Sequence, residues 1–135
     1  MHWSHFLLAL LASEFIVSMT DWFFMGDIWM RIYRAEPAIW RHSSEGFREG
    51  PAIGGSIALS TVTCAGMLLL CHTMHAPNFY ILARLTCGLW IITVVPLLFT
   101  QTLYMKFHPL LAASHATGWL VKLFVAATAA WFLHV

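Results

Sequence analysis

The chain has 135 residues, of which 60% are hydrophobic and only 10% are charged, and its mean hydropathy is +0.75. A soluble domain of this size exposes too much of its surface to hide so large an apolar fraction, which excludes a soluble globular protein. The formal net charge of +1 gives no basis for a nucleic-acid partner, and the expected surroundings are the lipid bilayer.

Four apolar stretches are each long enough to cross a bilayer, which needs about 20 residues per helix. Hydropathy places them at about residues 5–24, 53–72, 79–100 and 110–133. These runs do not alternate polar and apolar residues, and lipid leaves no water for backbone groups, so we expect helices. The predicted fold is an all-α membrane protein. Residues 1–135 form one domain, an antiparallel four-transmembrane-helix bundle with short loops.

Turn-forming residues agree with these boundaries. Asn78 is a suitable N-cap for the third span, and Pro109 stands where the fourth helix should begin. Pro96 lies inside the third span and should kink it. The segment 31–50 is predicted to lie at the membrane interface, either as a short helix beginning near Pro37 or as an ordered polar loop.

The basic residues are distributed unequally between the two sides of the membrane. An even number of spans places the first and third connections on one side. These connections hold most of the seven Lys and Arg residues: Arg31, Arg34, Arg41, Arg48 and Lys106. By the positive-inside rule, this side is cytoplasmic and both termini lie outside.

Lys122 lies in the middle of the fourth span, where an unpaired charge costs at least about 2.5–3.5 kcal/mol. The first and fourth spans run in opposite directions, so residues at one depth have numbers that sum to a constant. With the span centres aligned, Glu14 is level with Lys122 and Asp21 is level with His115. Seven residues are about two helical turns, so both members on each helix share one face. The sequence therefore predicts two buried pairs, Glu14–Lys122 and Asp21–His115.

Three interpretations of these pairs are open. In the first, the Glu14–Lys122 pair only fixes the arrangement of the helices, which is the best-attested role of buried pairs. In the second, Glu14, Asp21 and His115 relay protons or ions. In the third, the pairing is wrong and Lys122 faces a partner protein or a water-filled cleft.

Small and polar residues recur in the second span. Ser56, Ser60 and Cys64 follow one another every four residues, a spacing that lets helices approach closely. Alternatively, Thr61 and Thr63 join a polar interior together with residues of the third span. The cysteines are odd in number and are expected to be small packed residues outside any disulfide framework: Cys64, Cys71 and Cys87.

Five histidines map to the side of the membrane that carries the termini: His2, His5, His72, His75 and His134. The first four form two pairs with a spacing of three, so each pair shares a helix face. Neutral imidazoles bind zinc, copper and haem iron, which makes the five residues a candidate metal or haem site. The alternative is a set of ordinary interfacial histidines, because no zinc motif with fixed spacing is present.

The order of these features resembles a known family. An aromatic-rich first helix runs into "DWFFMGDIWMRIY", the stretch "EGFREGPAIGGSIALS" opens the second span, and "HATGW" carries a His-x-x-Gly-Trp pattern in the last helix. This combination covers nearly the whole chain and is similar to the small four-span bacterial membrane proteins grouped as domain of unknown function 1761. The resemblance implies the same architecture and a bacterial cytoplasmic membrane. The family has no established activity, so it implies no catalytic or cofactor-binding residue.

Three classes of function follow from these observations. The first is a structural or accessory subunit that packs against itself or against a larger membrane complex. The second is a small proton- or ion-linked transporter element that uses the buried pairs; four helices are few for a pathway, so this class implies a homo-oligomer. The third is a metal- or haem-binding redox protein. An enzyme of another kind is not expected, because no nucleophile–base pair, phosphate loop or carboxylate dyad is visible.

Overall fold

The computed structural model describes residues 2–27, 49–74, 78–105 and 108–135, and in these ranges the secondary structure is entirely helical. Helix α1 comprises Trp3–Asp21 and continues as a π-helical stretch, Trp22–Asp27. Helix α2 is Glu49–Met74, helix α3 is Phe79–Tyr104, and helix α4 is Pro109–Phe132. Each is long and apolar enough to cross a membrane, which confirms the all-α four-helix fold.

The four helices run alternately in opposite directions. The starts of α2 and α4 lie at the same end of the bundle as the ends of α1 and α3, and we call this the loop end. Both chain termini lie at the other end, the terminal end. The predicted interfacial segment 31–50 falls outside the described residues except for its last two positions, which belong to α2.

Helix α4 lies at the centre of the bundle and packs against the other three helices. Half of its span is buried, whereas 11% of the α3 span is buried. Most of its buried side chains are small, which lets neighbouring backbones come close: Ala112, Ser114, Ala116, Gly118, Ala126, Ala127 and Ala130. At Gly118, an added Cβ would lie 3.7 Å from the Cβ of Phe24 on the π-helical extension of α1.

Helices α3 and α4 start where the sequence predicts. The Asn78 side chain accepts a hydrogen bond from the Ile81 N–H at 3.1 Å and caps α3. Pro109 is the first residue of α4, where its missing N–H is not needed. The His108 ring accepts a hydrogen bond from the Leu110 N–H at 3.2 Å, which satisfies a second group at this helix start.

Helix α3 changes its winding before Pro96. Residues Phe79–Leu89 and Val95–Tyr104 are α-helical, and Trp90–Val94 between them are π-helical. Proline lacks the N–H that would bond to the carbonyl four residues earlier, and its ring crowds that carbonyl. A wider turn is one way for a helix to accommodate this defect, so the disturbance predicted at Pro96 takes the form of a π-helical stretch.

Trp90 opens this π-helical stretch and joins α3 to α4. Its indole N–H donates to the backbone carbonyl of Ala116 at 2.6 Å. The bilayer core offers no water to an indole N–H, so a buried tryptophan needs such a partner.

We expect Trp90→Phe to lower the free energy of unfolding by at least about 1 kcal/mol, because one interhelical hydrogen bond is lost while a smaller aromatic ring remains. Unfolding by detergent titration, followed by circular dichroism, measures the change. Trp3→Phe is the matched control, since Trp3 is 69% exposed. Equal losses in the two variants would contradict a stabilising role for the bond.

Candidate functional site

Lys122 lies midway along α4 and is only 8% exposed. Its ammonium group donates a hydrogen bond to Oδ2 of Asp21 at 2.8 Å and forms a salt bridge with it. The same ammonium lies 5.0 Å from the centre of the Trp119 ring, within the range of a cation–π interaction. Trp119 and Lys122 are three residues apart and so share a helix face, a spacing that the sequence analysis did not use.

The predicted Glu14–Lys122 pair is wrong, because the ammonium pairs with Asp21, seven residues further along α1. The contact of Gly118 with Phe24 shows the same displacement, since the predicted alignment would place Ser18 there. The two helices are thus shifted by about two turns from the centred arrangement.

The small residues of α4 account for the shifted pair. Gly118 lets α1 approach closely at Phe24, and with this contact Asp21, the last residue of the α-helical part of α1, lies level with Lys122.

Asp21 and Lys122 line a pocket of about 130 Å³ between α1, α2 and α4. The other lining residues are Phe24, Ser56, Leu59, Ser60, His115, Gly118 and Trp119. The predicted partners Asp21 and His115 therefore meet in one pocket, where they also interact electrostatically. The Asp21 side chain keeps 25% of its surface exposed, so the pocket is accessible from outside the protein.

Two further polar groups are buried near this pocket. Both carboxyl oxygens of Glu14 are buried, and among the described residues only the Cys64 thiol is placed to donate to them; the hydroxyl of Ser60 is buried without a described partner. The thiol of Cys64 is fully buried and lies within electrostatic reach of Glu14, Lys122 and Asp21. A thiol is only a weak donor, so it leaves the Glu14 carboxyl group without a strong partner.

The small-residue spacing of α2 is only partly used for packing. Ser60 and Cys64 are buried, but Ser56 is exposed beside the pocket. The alternative of a polar interior built from threonines stays a prediction. Thr61 and Thr63 donate to backbone carbonyls of their own helix, those of Ile57 and Leu59. Their hydroxyls are therefore satisfied locally and contribute nothing to the pocket.

The candidate metal site gains no geometric support. The rings of His2 and His5 lie 5.5 Å apart, and His134 is exposed at the last turn of the chain. His75 lies outside the described residues. Among the residues that the structure describes, no three His, Cys, Asp or Glu side chains lie close enough to hold a metal ion. All three cysteines are free, and Cys64 and Cys71 are buried.

Comparison with known proteins gives the chain no family: no family model, no curated protein and no solved structure matches it.

Proposed function

We propose that this chain is a proton-linked transport element of the bacterial cytoplasmic membrane, with the pocket around Asp21 and Lys122 as its proton-binding site. One observation carries the proposal: the buried salt bridge lines a pocket that has room for water. A pair that serves only to align helices needs no such space, and tight packing around it would serve that purpose better.

The size of the pocket agrees with a hydrated site. One water molecule occupies about 30 Å³ in the liquid, so the pocket accommodates about four. Carboxylate, ammonium and hydroxyl groups supply the polar partners that buried water requires. Water beside the Asp21 carboxylate provides a route by which a proton reaches it.

The remaining groups of the pocket suit proton transfer. His115 lines it, and histidine is the side chain whose charge changes most readily near neutral pH. A proton on the Asp21 carboxylate removes the counter-ion of Lys122, so protonation alters the balance of charge inside the bundle. With the basic connections on the cytoplasmic side, the loop end and the pocket face the cytoplasm, and both termini lie outside.

Proton flux into liposomes tests this function. The purified protein is reconstituted with a trapped pH-sensitive dye, and a potassium diffusion potential drives the flux. We expect wild-type protein to conduct above the level of protein-free liposomes. We expect Asp21→Asn to fall to that level, because the amide cannot take up and release the proton, and His115→Gln to be strongly reduced.

His2→Gln is the matched control for His115→Gln, since His2 is exposed at the opposite end of the bundle. This control should conduct as the wild type does. Circular dichroism of each reconstituted variant verifies that the helices are retained. A wild-type trace equal to that of protein-free liposomes would overturn the proposal.

A second candidate is the structural or accessory subunit, and the first part of α2 favours it. Each residue from Gly50 to Leu59 is exposed, although this stretch contains glycine, alanine and serine, which let membrane helices pack closely. Such a segment suits a second copy of the chain or a larger membrane complex. Native mass measurement in mild detergent tests this candidate, and a monomer that retains no other protein would count against it.

A further inference from the structure

Glu14 is a buried acid that the pocket described above does not include. It lies in the middle of the first membrane span, Trp3–Phe24. Both of its carboxyl oxygens are buried, and among the described residues only the weakly donating Cys64 thiol is placed to form a hydrogen bond with them. A carboxyl group in this position is costly to the fold, since no strong donor of the described residues compensates for its burial.

Buried residues of α2 relate Glu14 to the salt bridge. Ser60 lines the pocket with Asp21 and Lys122, and Cys64 is buried one turn further along the same face of α2. The Cys64 thiol interacts electrostatically with Glu14, Asp21 and Lys122, which agrees with a position of Glu14 near the salt bridge. Glu14 and Asp21 are two turns apart on one face of α1. Lys122 carries its ammonium on a flexible four-carbon stem, and it approaches this face from α4.

Among the described residues, few titratable groups face this region. They come from α1, α2 and α4: Glu14, Asp21, Cys64, His115 and Lys122. Helix α3 turns its one cation, Arg84, outward, where it lies over the Tyr80 ring. One ammonium group therefore serves two carboxyl groups, and in the structure Asp21 holds it.

We propose that Lys122 is shared between the two acids, so that its ammonium pairs with Asp21 in the observed state and with Glu14 in a second state. The proposal rests on the proton-linked function above and assigns the next step of the proton path. Two arrangements of one buried cation give the bistable element that a transport step requires.

The exchange is balanced in protons and charge. The proposed exchange starts with Asp21 as a carboxylate and with a proton on Glu14. A proton that enters from the loop end binds the Asp21 carboxylate, and the ammonium then loses its counter-ion. Lys122 keeps its three protons and moves toward Glu14, which becomes a carboxylate as its proton leaves. One proton enters at Asp21, one leaves at Glu14, and the net charge of the three groups is unchanged.

Two neighbouring hydroxyls suit the second state. The Oγ atoms of Ser13 and Ser60 are buried, and neither has a hydrogen-bond partner among the residues that the structure describes. Ser13 precedes Glu14 on α1, and Ser60 lines the pocket beside Lys122. A hydroxyl that is unused in one state is available as a donor to a carboxylate in the other.

A double-mutant cycle on thermal unfolding tests the sharing without any flux measurement. We expect Glu14→Gln to leave the unfolding midpoint nearly unchanged, because Asp21 still holds the ammonium. We expect Asp21→Asn to cause a moderate decrease, because Lys122 then turns to Glu14. The double variant has no counter-ion left, so its midpoint should fall by more than the sum of the two single shifts. If the double variant does not fold while both single variants do, this result also supports the sharing of Lys122.

Flux into liposomes separates this inference from the proposed function. If wild-type protein conducts and Glu14→Gln, still folded, does not, Glu14 belongs to the proton path. If both conduct equally and the midpoint shifts are additive, the sharing of Lys122 is overturned and the proposed function stands. If the wild type does not conduct, the proposed function falls, and the double-mutant cycle alone decides whether the lysine is shared.

Discussion

Replacing Lys122 by methionine is expected to lower the free energy of unfolding by about 3–5 kcal/mol, the cost of breaking a buried ion pair from one side. The variant keeps the length of the side chain but leaves the Asp21 carboxylate without its partner at 2.8 Å. The loss is large because the remaining carboxylate is left without a counter-ion inside the helix bundle.

A second substitution identifies the partner. Adding Asp21→Leu to Lys122→Met should restore most of the lost stability, because two apolar side chains replace the pair and no charge remains. Adding Glu14→Leu instead should restore little, since Asp21 stays unpaired. Recovery with Glu14→Leu and none with Asp21→Leu would contradict the observed pairing.

Arg84→Met supplies the control for loss of a cation. Arg84 is exposed and lies 5.6 Å from the centre of the Tyr80 ring. Exposed charge pairs contribute at most about 1 kcal/mol to stability, so Arg84→Met should lower the free energy of unfolding by less than that. Detergent-titration unfolding of all variants under one condition gives the comparison. A Lys122→Met loss no larger than that of Arg84→Met would show that the salt bridge does not stabilise the bundle.

The four spans were predictable because their cause is local. Each helix must satisfy its own backbone in lipid, so length and hydropathy suffice to find it. The cap at Asn78 and the start at Pro109 likewise depend on neighbouring residues only. The observed helices exceed the predicted spans by a few residues at most ends, as at Gly50 and Tyr104, because apolar length sets the minimum and not the true boundary.

The salt bridge was predicted only in part. An unpaired ammonium group is costly inside a membrane, so Lys122 needs an acid nearby, and both Glu14 and Asp21 of the first span meet that need. Aligning the centres of the two spans selects Glu14, whereas the observed partner is Asp21. One further rule would have favoured Asp21, because the small residues of α4, such as Gly118, set where α1 comes closest.

Other features depend on long-range packing that no sequence pattern reveals. The bond from Trp90 to the carbonyl of Ala116 requires the π-helical stretch to orient the indole toward α4. The pocket exists because α1, α2 and α4 meet around a lysine, and its water-sized volume follows from side chains on three helices.

The central position of α4 leads to a second prediction of large effect, at the alanines that face its neighbours. Ala127 is fully buried in the core, with Ala126 beside it and Ala130 one turn further on. We expect Ala127→Leu to lower the free energy of unfolding by about 1–3 kcal/mol, since added methylenes in a packed interior force neighbouring side chains and backbones apart. Greater hydrophobicity does not compensate, because lipid is as apolar as leucine and gives helices no hydrophobic reason to associate.

Ala113→Leu is the matched control on the same helix, because Ala113 is exposed and would present its leucine to lipid. This substitution should change the stability little, whereas Ala127→Leu should also weaken the contacts of α4 with its neighbours. Cross-linking between cysteines introduced on α1 and α4 reports that separation directly. Equal stability of the two leucine variants would mean that close approach through small residues does not hold this bundle together.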